Sequence, residues 1–307
     1  SDGRIIAQAP KADIDLAARP FLSGRFVVQR ITLVGVQLTL VHLKQGGIRL
    51  GAERDKDGDD IISRINDVIE AKGSASSSLQ SFAIRDARLA MYDESTGLFV
   101  VAPRGVTLDG GNPAYLTGYG GFNISMTPAF SRSLILWLER GGVLAVPNLR
   151  GGGEYGEEWH QGGMLASKQN TFDDCIAAAE WLVAEGYTRP DRLALAGGSN
   201  GGLLAGVLLT QRPDLFRAVV IQVPLLDMLR YHRFLIARLW IPEYGSADDP
   251  EQFGWLSAYS PYHHVRDDVP YPAVLLATAE SDTRVDPMHA RKMTARLQAA
   301  TSSGHPV

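Results

Sequence analysis

The glycine run around Ser199 is the sequence feature that most constrains how this chain can fold. Residues 197–202 read Gly-Gly-Ser-Asn-Gly-Gly, between an apolar run, Leu193–Ala196, and a helical pattern, Leu203–Gln211. Gly-x-Ser-x-Gly between a strand and a helix is typical of a nucleophile elbow, a strained turn that exposes the serine hydroxyl above a sheet edge. We expect the glycines two residues before and after the serine to lie too close to other backbone for a Cβ. An ordinary glycine-rich turn is the alternative.

Composition narrows the class of protein. The chain has 307 residues and 45% hydrophobic residues, enough for two domains or one large α/β domain. A net charge of −4 argues against nucleic acid or an anionic membrane as a partner. The single cysteine, Cys175, excludes an internal disulfide, and no Cys/His spacing suits zinc. No apolar run has transmembrane length. Because the first methionine is Met91, the native termini stay open.

Residues 1–103 predict a smaller β-rich segment. Short β-branched or alternating runs break at glycine and proline, and one amphipathic helix interrupts them. The predicted strands are Ile5–Ala7, Ala12–Leu16, Phe26–Val34, Val36–Val41 and a return to strand in Leu79–Val101; the helix is Asp59–Ala71. An acidic stretch before that helix hints at a calcium loop. Its glycine is misplaced and Asn66 stands where a bidentate glutamate is needed, so we predict an acidic solvated turn and no metal site.

This first segment resembles the AsmA-like family of bacterial envelope proteins. The resemblance rests on Ala12–Leu16, Arg30–Leu38 and Ile84–Leu89 and covers about a third of the chain. It implies a β-rich, non-enzymatic module involved in moving lipid across the periplasm. The sequence does not distinguish a location in the bacterial cytoplasm from one in the periplasm.

From Arg104 onward, strands and helices alternate. The predicted strands are Tyr115–Gly118, Val143–Pro147, Leu193–Ala196, Ala218–Val223 and Ala273–Thr278; the helices are Ser131–Arg140, Phe172–Glu185, Leu203–Gln211 and Pro287–Ala300. Continuous apolar strands alternating with helices predict a mostly parallel sheet covered on both faces. We therefore predict an α/β-hydrolase fold over 104–307, in which a serine, an acid and a histidine follow one another along the chain.

The acid is expected in the loop after the last predicted strand. Asp282 is our choice because it lies just past a buried strand, at the same sheet edge as the elbow. Its task would be to orient an imidazole and stabilise the imidazolium. Glu280 and Asp286 are the nearby competitors, and a turn or helix-capping role for Asp282 is the alternative.

The base is harder to place. Chain order leaves two of the seven histidines, His289 and His305. His289 is expected to face solvent or the Asp282 loop. His305 lies in a turn leading toward a further strand, and it completes a triad only if the tail folds back over Ser199. In this fold the histidine normally follows one more strand, so we expect the hydrolase region to be incomplete at its C-terminus.

Residues 104–307 resemble the catalytic domain of the prolyl oligopeptidase family of serine peptidases. The resemblance spans about two thirds of the chain and rests on motifs in one order: Gly118–Asn123, Asn148–Gly156, Trp159–His160, Lys168–Asn170, Gly197–Leu204, Gln211–Phe216 and Asp282–Val285. A glycine-rich turn alone would not be specific, whereas so many ordered motifs make chance implausible.

The resemblance implies roles for individual residues. It makes Ser199 the nucleophile and Asp282 the triad acid, with the Asn200 backbone N–H and the Tyr119 hydroxyl as oxyanion donors. Such donors are worth about 3–4 kcal/mol each. It also implies a substrate-binding surface of Phe122, the aromatic wall Trp240, and Arg284, which would hold a substrate carbonyl. Without the family, Trp240 is equally well a core aromatic, and Arg284 an ion-pair partner of a neighbouring aspartate.

Three functional hypotheses follow. The first is a serine hydrolase that cleaves peptide or small ester bonds through an acyl-enzyme on Ser199, without a cofactor. The family's β-propeller is not recognisable in residues 1–103, so we expect an open site at which small activated esters are better substrates than peptides. The second is a catalytically impaired fusion or fragment that lacks the triad histidine. The third is an envelope lipid-binding or scaffold module. An incomplete sheet also predicts homo-oligomers through an open edge.

Overall fold

The computed structural model describes residues 11–16, 28–34, 37–42, 48–50, 81–85, 88–93, 97–127 and 131–307. The chain divides into two compact units, Ser1–Thr96 and Gly97–Val307. The division falls a few residues before the boundary between 103 and 104 expected from composition. It assigns the strand Leu98–Val101 to the second unit.

The described part of the first unit consists of strands. They are β1 (Lys11–Leu16), β2 (Val28–Val34), β3 (Gln37–His42), β4 (Ile48–Leu50), β5 (Ser81–Arg85) and β6 (Arg88–Asp93). Strand β2 pairs antiparallel with β1 and parallel with β5, and β3 pairs antiparallel with β4 and parallel with β6. The predicted β-rich character is confirmed there. Ile5–Ala7, the helix Asp59–Ala71 and its acidic turn lie outside the described residues, and the AsmA-like resemblance stays a prediction.

A mostly parallel sheet organises the second unit. Its strands are β7 (Leu98–Val101), β8 (Ala114–Thr117), β9 (Val143–Pro147), β10 (Leu193–Gly198), β11 (Ala218–Gln222) and β12 (Ala273–Ala277). Across the sheet the order is β12-β11-β10-β8-β9-β7. All of these pairings are parallel except that of β7 with β9. The carboxyl ends of the parallel strands therefore share one edge, where ligands of open α/β sheets bind.

Helices connect and cover these strands. They are α1 (Arg132–Glu139), α2 (Glu157–Gln161), α3 (Gln169–Ala184), α4 (Asn200–Gln211), α5 (Ile241–Tyr244), α6 (Pro250–Tyr259), α7 (Pro261–His264) and α8 (Met288–Ala300). Helices α1 and α3 pack on β9, α4 on β10 and β11, and α8 on β12. The predicted strands and helices of this unit are confirmed. The largest boundary differences are that α3 and α4 each begin three residues earlier than expected.

The core is centred on β10 and α4. The side chains of Leu193 and Leu195 are fully buried, and every residue of α4 from Asn200 to Thr210 is buried. A helix that is apolar on all sides belongs inside a protein. Each buried leucine contributes about 1.5–3 kcal/mol. The elbow serine thus stands between two of the most deeply buried elements of the unit, which hold its turn in place.

Candidate active site

The turn at Ser199 has the geometry of a nucleophile elbow. Ser199 follows β10, precedes α4, is partly exposed, and has φ 58° and ψ −118°. A non-glycine residue in that region is strained and persists only where its surroundings enforce it. A Cβ on Gly197 would lie 1.9 Å from the Gly201 carbonyl oxygen, and one on Gly201 would lie 2.6 Å from that of Gly118. The expected close approach of backbone at both glycines is confirmed.

Asn200 connects the elbow to two other segments. It is the first residue of α4, so its backbone N–H has no acceptor within the helix and lies at the positive end of the helix dipole. Its side chain is 1% exposed. The Nδ2 atom donates to the Tyr119 carbonyl oxygen, and Oδ1 accepts a 2.7 Å hydrogen bond from the Tyr244 hydroxyl. The elbow, the Tyr119 turn and α5 are therefore joined through one side chain.

The segment 119–123 forms a second strained turn beside the elbow. Gly120, Phe122 and Asn123 have φ of 62°, 58° and 57°. The Lys168 Nζ donates to the Gly120 carbonyl oxygen at 2.7 Å, and the Phe122 N–H donates to the Glu243 Oε1 at 3.0 Å. Side chains from distant parts of the chain thus hold two consecutive peptide groups of the turn that carries Tyr119, those on either side of Gly121.

Lys168 and Glu243 form a buried charged cluster with His160. Lys168 is 1% exposed and Glu243 4% exposed, and Nζ lies 3.5 Å from Oε1. The other carboxylate oxygen, Oε2, lies 2.9 Å from the His160 Nε2. Burial lowers the pKa of Lys168 to about 8, and the Glu243 carboxylate opposes that shift. Sequence reasoning did not assign Lys168 or Glu243 to the site, although Lys168 stands in one of the motifs that carry the family resemblance and Glu243 lies three residues after Trp240.

The Asp282 loop lies at the same sheet edge as the elbow. Gly198, Gln222 and Ala277 are aligned across β10, β11 and β12, so the two loops start about 10 Å apart, two strand spacings. The Asp282 Oδ1 accepts from the backbone N–H groups of Arg284 and Val285 at 2.8 and 3.0 Å. Its Oδ2 has no hydrogen-bond partner in the part of the chain that the structure describes.

The competing acids have other surroundings. The Asp286 Oδ1 accepts from the N–H of Met288, the first residue of α8, at 2.9 Å. Glu280 is exposed. Asp282 and Asp286 each use one carboxylate oxygen to accept from backbone N–H groups, so the choice of Asp282 as the triad acid stays a prediction.

The expectation that His289 faces solvent or the loop is wrong. His289 is 2% exposed, and its Nδ1 accepts from the backbone N–H groups of Leu226 and Asp227 at 3.3 and 3.1 Å. Burial lowers its pKa to about 4. The helical position predicted its element correctly, but the loop after β11 folds over the ring and removes it from solvent.

His305 lies at the opposite sheet edge from Ser199. Its Nε2 is 3.0 Å from the Arg217 Nη1, immediately before β11 begins, whereas the Ser199 N–H donates to Gln222 at the end of β11. The length of β11, about 17 Å at 3.3 Å per residue, separates these positions. The tail does not fold back over Ser199. None of the six histidines within residues 131–307 hydrogen-bonds Ser199 or Asp282.

The predicted substrate-binding residues lie on three segments. Phe122 is partly buried, and its ring meets the Tyr244 ring edge-on at 5.5 Å. Trp240 is partly buried against the core and directly precedes α5. Arg284 is exposed and forms no ion pair with Asp282 or Asp286, all three being described residues. Phe122 and the α5 segment are brought together by contacts, whereas Arg284 shares only the sheet edge with them.

The assembled site offers a serine hydroxyl beside the Asn200 backbone N–H, with the Tyr119 turn hydrogen-bonded to the Asn200 side chain and a carboxylate at the same sheet edge. Within residues 97–127 and 131–307, no group of three or more His, Cys, Asp or Glu side chains is arranged to hold a metal ion. Among the described helices, none is long and apolar enough to cross a membrane.

Comparisons with known proteins agree with this geometry. The model of the prolyl oligopeptidase family matches residues 128–306. The chain is 48% identical over 205 residues to a prolyl endopeptidase of Elizabethkingia miricola, covering 66% of this chain and 29% of that protein. It is 47% identical over 204 residues to a prolyl endopeptidase of Dictyostelium discoideum, covering 66% of this chain and 27% of that protein.

Solved structures show the same likeness. One from a study of two prolyl endopeptidases superposes with a TM-score of 0.68 at 58% identity, covering 68% of this chain and 31% of that one. Prolyl oligopeptidase B of Galerina marginata superposes with a TM-score of 0.67 at 42% identity, covering 68% of this chain and 30% of that one. The α/β-hydrolase fold is thereby confirmed. The chain spans about three tenths of the length of these relatives, and through the match to residues 128–306 it belongs to the prolyl oligopeptidase family.

Proposed function

We propose that this chain carries the catalytic serine of a prolyl oligopeptidase-type hydrolase, acting on oligopeptides or small esters. The observation that carries the proposal is the strained Ser199 elbow, with the Asn200 N–H, Tyr119 and Asp282 at the same sheet edge. The names of the similar proteins, prolyl endopeptidases and oligopeptidases, support the substrate class.

The proposed reaction is acyl transfer in two steps. The Ser199 Oγ attacks the carbonyl carbon and gives its proton to a base, and the carbonyl π electrons move to the oxygen. The Asn200 N–H and the Tyr119 hydroxyl donate to that oxyanion. The bond to the leaving amine or alkoxide then breaks, the leaving group takes the proton, and an acyl-enzyme remains on Ser199. Water attacks the ester in the same way and regenerates the hydroxyl.

A second candidate is that this chain binds substrate but catalyses weakly. It is supported by the surroundings of the histidines, because each ring within residues 131–307 contacts groups other than Ser199 and Asp282. Loss of a triad histidine leaves rates of about 10³–10⁴ over water, from the oxyanion hole and binding alone. The two candidates share Ser199 and differ in the supply of a base.

A fluorophosphonate probe with and without imidazole tests both candidates. We expect mass spectrometry to find the adduct on Ser199 and none in Ser199→Ala. Ser281→Ala, which removes an exposed serine beside Asp282, is the matched control and should label like the parent. If the base is missing, added imidazole will accelerate labelling; if a base is present, imidazole will change little. Labelling elsewhere, or none even with imidazole, would reject the nucleophile.

Substrate choice is tested with paired esters. If Trp240 and Phe122 form an aromatic wall for a proline ring, a prolyl ester will acylate Ser199 faster than the matching alanyl ester. Trp240→Ala should abolish that preference while leaving labelling by the small probe in place. Equal rates of Ser199 acylation by the two esters in the parent chain would contradict a preference for proline.

We also propose self-association through the outer edge of β12. The outward Val274 N–H is already taken by Pro306, at 2.9 Å. Beyond it, Leu275 is 60% exposed, and no described strand pairs with β12 opposite β11. Unpaired strand edges template further pairing. Size-exclusion chromatography across a concentration series should show dimers or larger species. A monomer at every concentration would refute this.

A further inference from the structure

We propose that Glu243 is a positioning residue for the oxyanion donor Tyr119, acting through the Phe122 backbone. This inference rests on the proposed function of Ser199. Its observation is separate, because a nearly fully buried carboxylate accepts a hydrogen bond from the turn that presents Tyr119, 121 residues away in the chain.

The turn 119–123 needs such support because its backbone is strained. Phe122 and Asn123 both have positive φ, a conformation that costs non-glycine residues of order 1–3 kcal/mol each. The Asn123 N–H donates to Gly151 at 3.2 Å, but the Phe122 N–H has Glu243 as its acceptor. Without that acceptor, the peptide between Gly121 and Phe122 would be free to rotate toward an unstrained conformation.

The carboxylate of Glu243 has two partners of its own, Lys168 and His160, next to the turn that it supports. Lys168 lies 3.5 Å from Oε1 and also donates to the Gly120 carbonyl oxygen, so both buried ions act on the same turn. His160 lies 2.9 Å from Oε2, and its other ring nitrogen lies 3.3 Å from Glu157. The arrangement holds the Gly120 carbonyl and the Phe122 N–H in a single orientation, and Tyr119 directly precedes them.

Glu243 also couples this turn to the substrate-binding segment. It belongs to α5, which follows Trp240 and contains Tyr244, whose hydroxyl donates to Asn200. A displacement of α5 would therefore shift the Phe122 N–H and the Asn200 side chain together. Displacements of about 1 Å in a catalytic constellation cost on the order of a hundredfold in rate.

Amide hydrogen exchange at single-residue resolution tests the positioning without requiring activity. The variants are Glu243→Gln, which keeps an oxygen acceptor but loses the charge, and Glu243→Leu/Lys168→Met, which removes the pair without leaving an unpaired buried charge. The Phe122 amide should exchange about tenfold faster in the double variant, the loss of one hydrogen bond to a charged group, and by less in Glu243→Gln. Glu251→Gln, an exposed glutamate on α6, should change nothing.

Exchange in α4 reports whether the whole unit loosens. Unchanged Phe122 exchange in a folded variant would overturn the proposal. Equal acceleration at Phe122 and at Leu204 would do the same, since it would show a general structural role. If Glu243→Leu/Lys168→Met does not fold, the nearly isosteric Glu243→Gln decides alone.

A second readout links positioning to Tyr119. Glu243→Gln should slow phosphonylation of Ser199 about tenfold in the parent chain, but by less than about twofold in the Tyr119→Phe background, because interacting residues are not additive. Equal slowing in both backgrounds would overturn the link. If the parent shows no adduct on Ser199, the proposed function fails, whereas the exchange measurement still judges the positioning.

Discussion

The two strained turns that meet at Asn200 are held by opposite means. The elbow at Ser199 is enforced by backbone packing, with Gly197 against the Gly201 carbonyl a few residues along the chain. The turn 119–123 is enforced by the side chains of Lys168 and Glu243, 48 and 121 residues from the groups they bind. The first turn is held by steric contacts within a few residues, and its glycines are visible in the sequence. The second turn is held by buried charged side chains that reach it only in the folded chain.

The largest expected loss of stability comes from disturbing the backbone packing that holds the Ser199 elbow. A Cβ at Gly197 would lie 1.9 Å from a backbone oxygen, whereas one at the neighbouring Gly198 has its closest contact at 3.8 Å. We expect Gly197→Ala to lose more than about 4 kcal/mol of unfolding free energy or not to fold. Gly198→Ala should stay within about 1 kcal/mol of the parent in urea denaturation. Similar losses in the two variants would contradict the steric account.

The turn 119–123 is tested by removing one member of the buried pair of Lys168 and Glu243. Lys168→Met leaves the Glu243 carboxylate buried without its cation, and such a change costs about 3–5 kcal/mol. Lys168→Met/Glu243→Gln leaves no buried net charge and should recover most of that loss, as urea midpoints would show. If Lys168→Met had the same urea midpoint as Lys168→Met/Glu243→Gln, the two side chains would not contribute to stability as a pair.

Acid unfolding tests a third buried polar group, His289, which accepts from backbone N–H groups as Glu243 does. Burial lowers its pKa to about 4, so the unfolded chain takes up this proton first as pH falls from 6.5. Its stabilisation is present above pH 6.5 and is lost toward pH 4, a total of about 3 kcal/mol. His289→Gln should show a weaker loss over that interval in melts at several pH values. His264→Gln, at an exposed histidine, should follow the parent.

The smallest expected effect concerns the side chain that joins the two turns. Asn200→Ala removes hydrogen bonds to Tyr119 and Tyr244, and we expect a loss of about 2 kcal/mol. Asn112→Ala is matched, because Asn112 donates to Thr107 and Tyr187 far from the elbow. Only Asn200→Ala should also slow phosphonylation of Ser199. Equal labelling rates in the two variants would show that the hydrogen bonds of Asn200 to the two segments do not affect the reactivity of Ser199.

Much of the second unit was predictable because its signals are local. Apolar strands such as Val143–Pro147 and helical patterns such as Arg132–Glu139 follow from periodicity within one segment. The elbow followed from the spacing of its glycines. The burial of His289 was not predictable, because the loop that covers its ring lies more than 60 residues away. Periodicity identifies the helix but not what packs on it.

The order of residues alone determined that a serine would stand in a cramped glycine turn between a buried strand and a buried helix, with an aspartate after a later parallel strand. Hydrophobic periodicity and backbone sterics act over a few residues, so the chain encodes them directly. Only the tertiary structure decided that Lys168 and Glu243 hold the Tyr119 turn, and that His305 lies at the far sheet edge. Those placements depend on contacts between segments far apart in the chain, which exist only once the sheet has assembled.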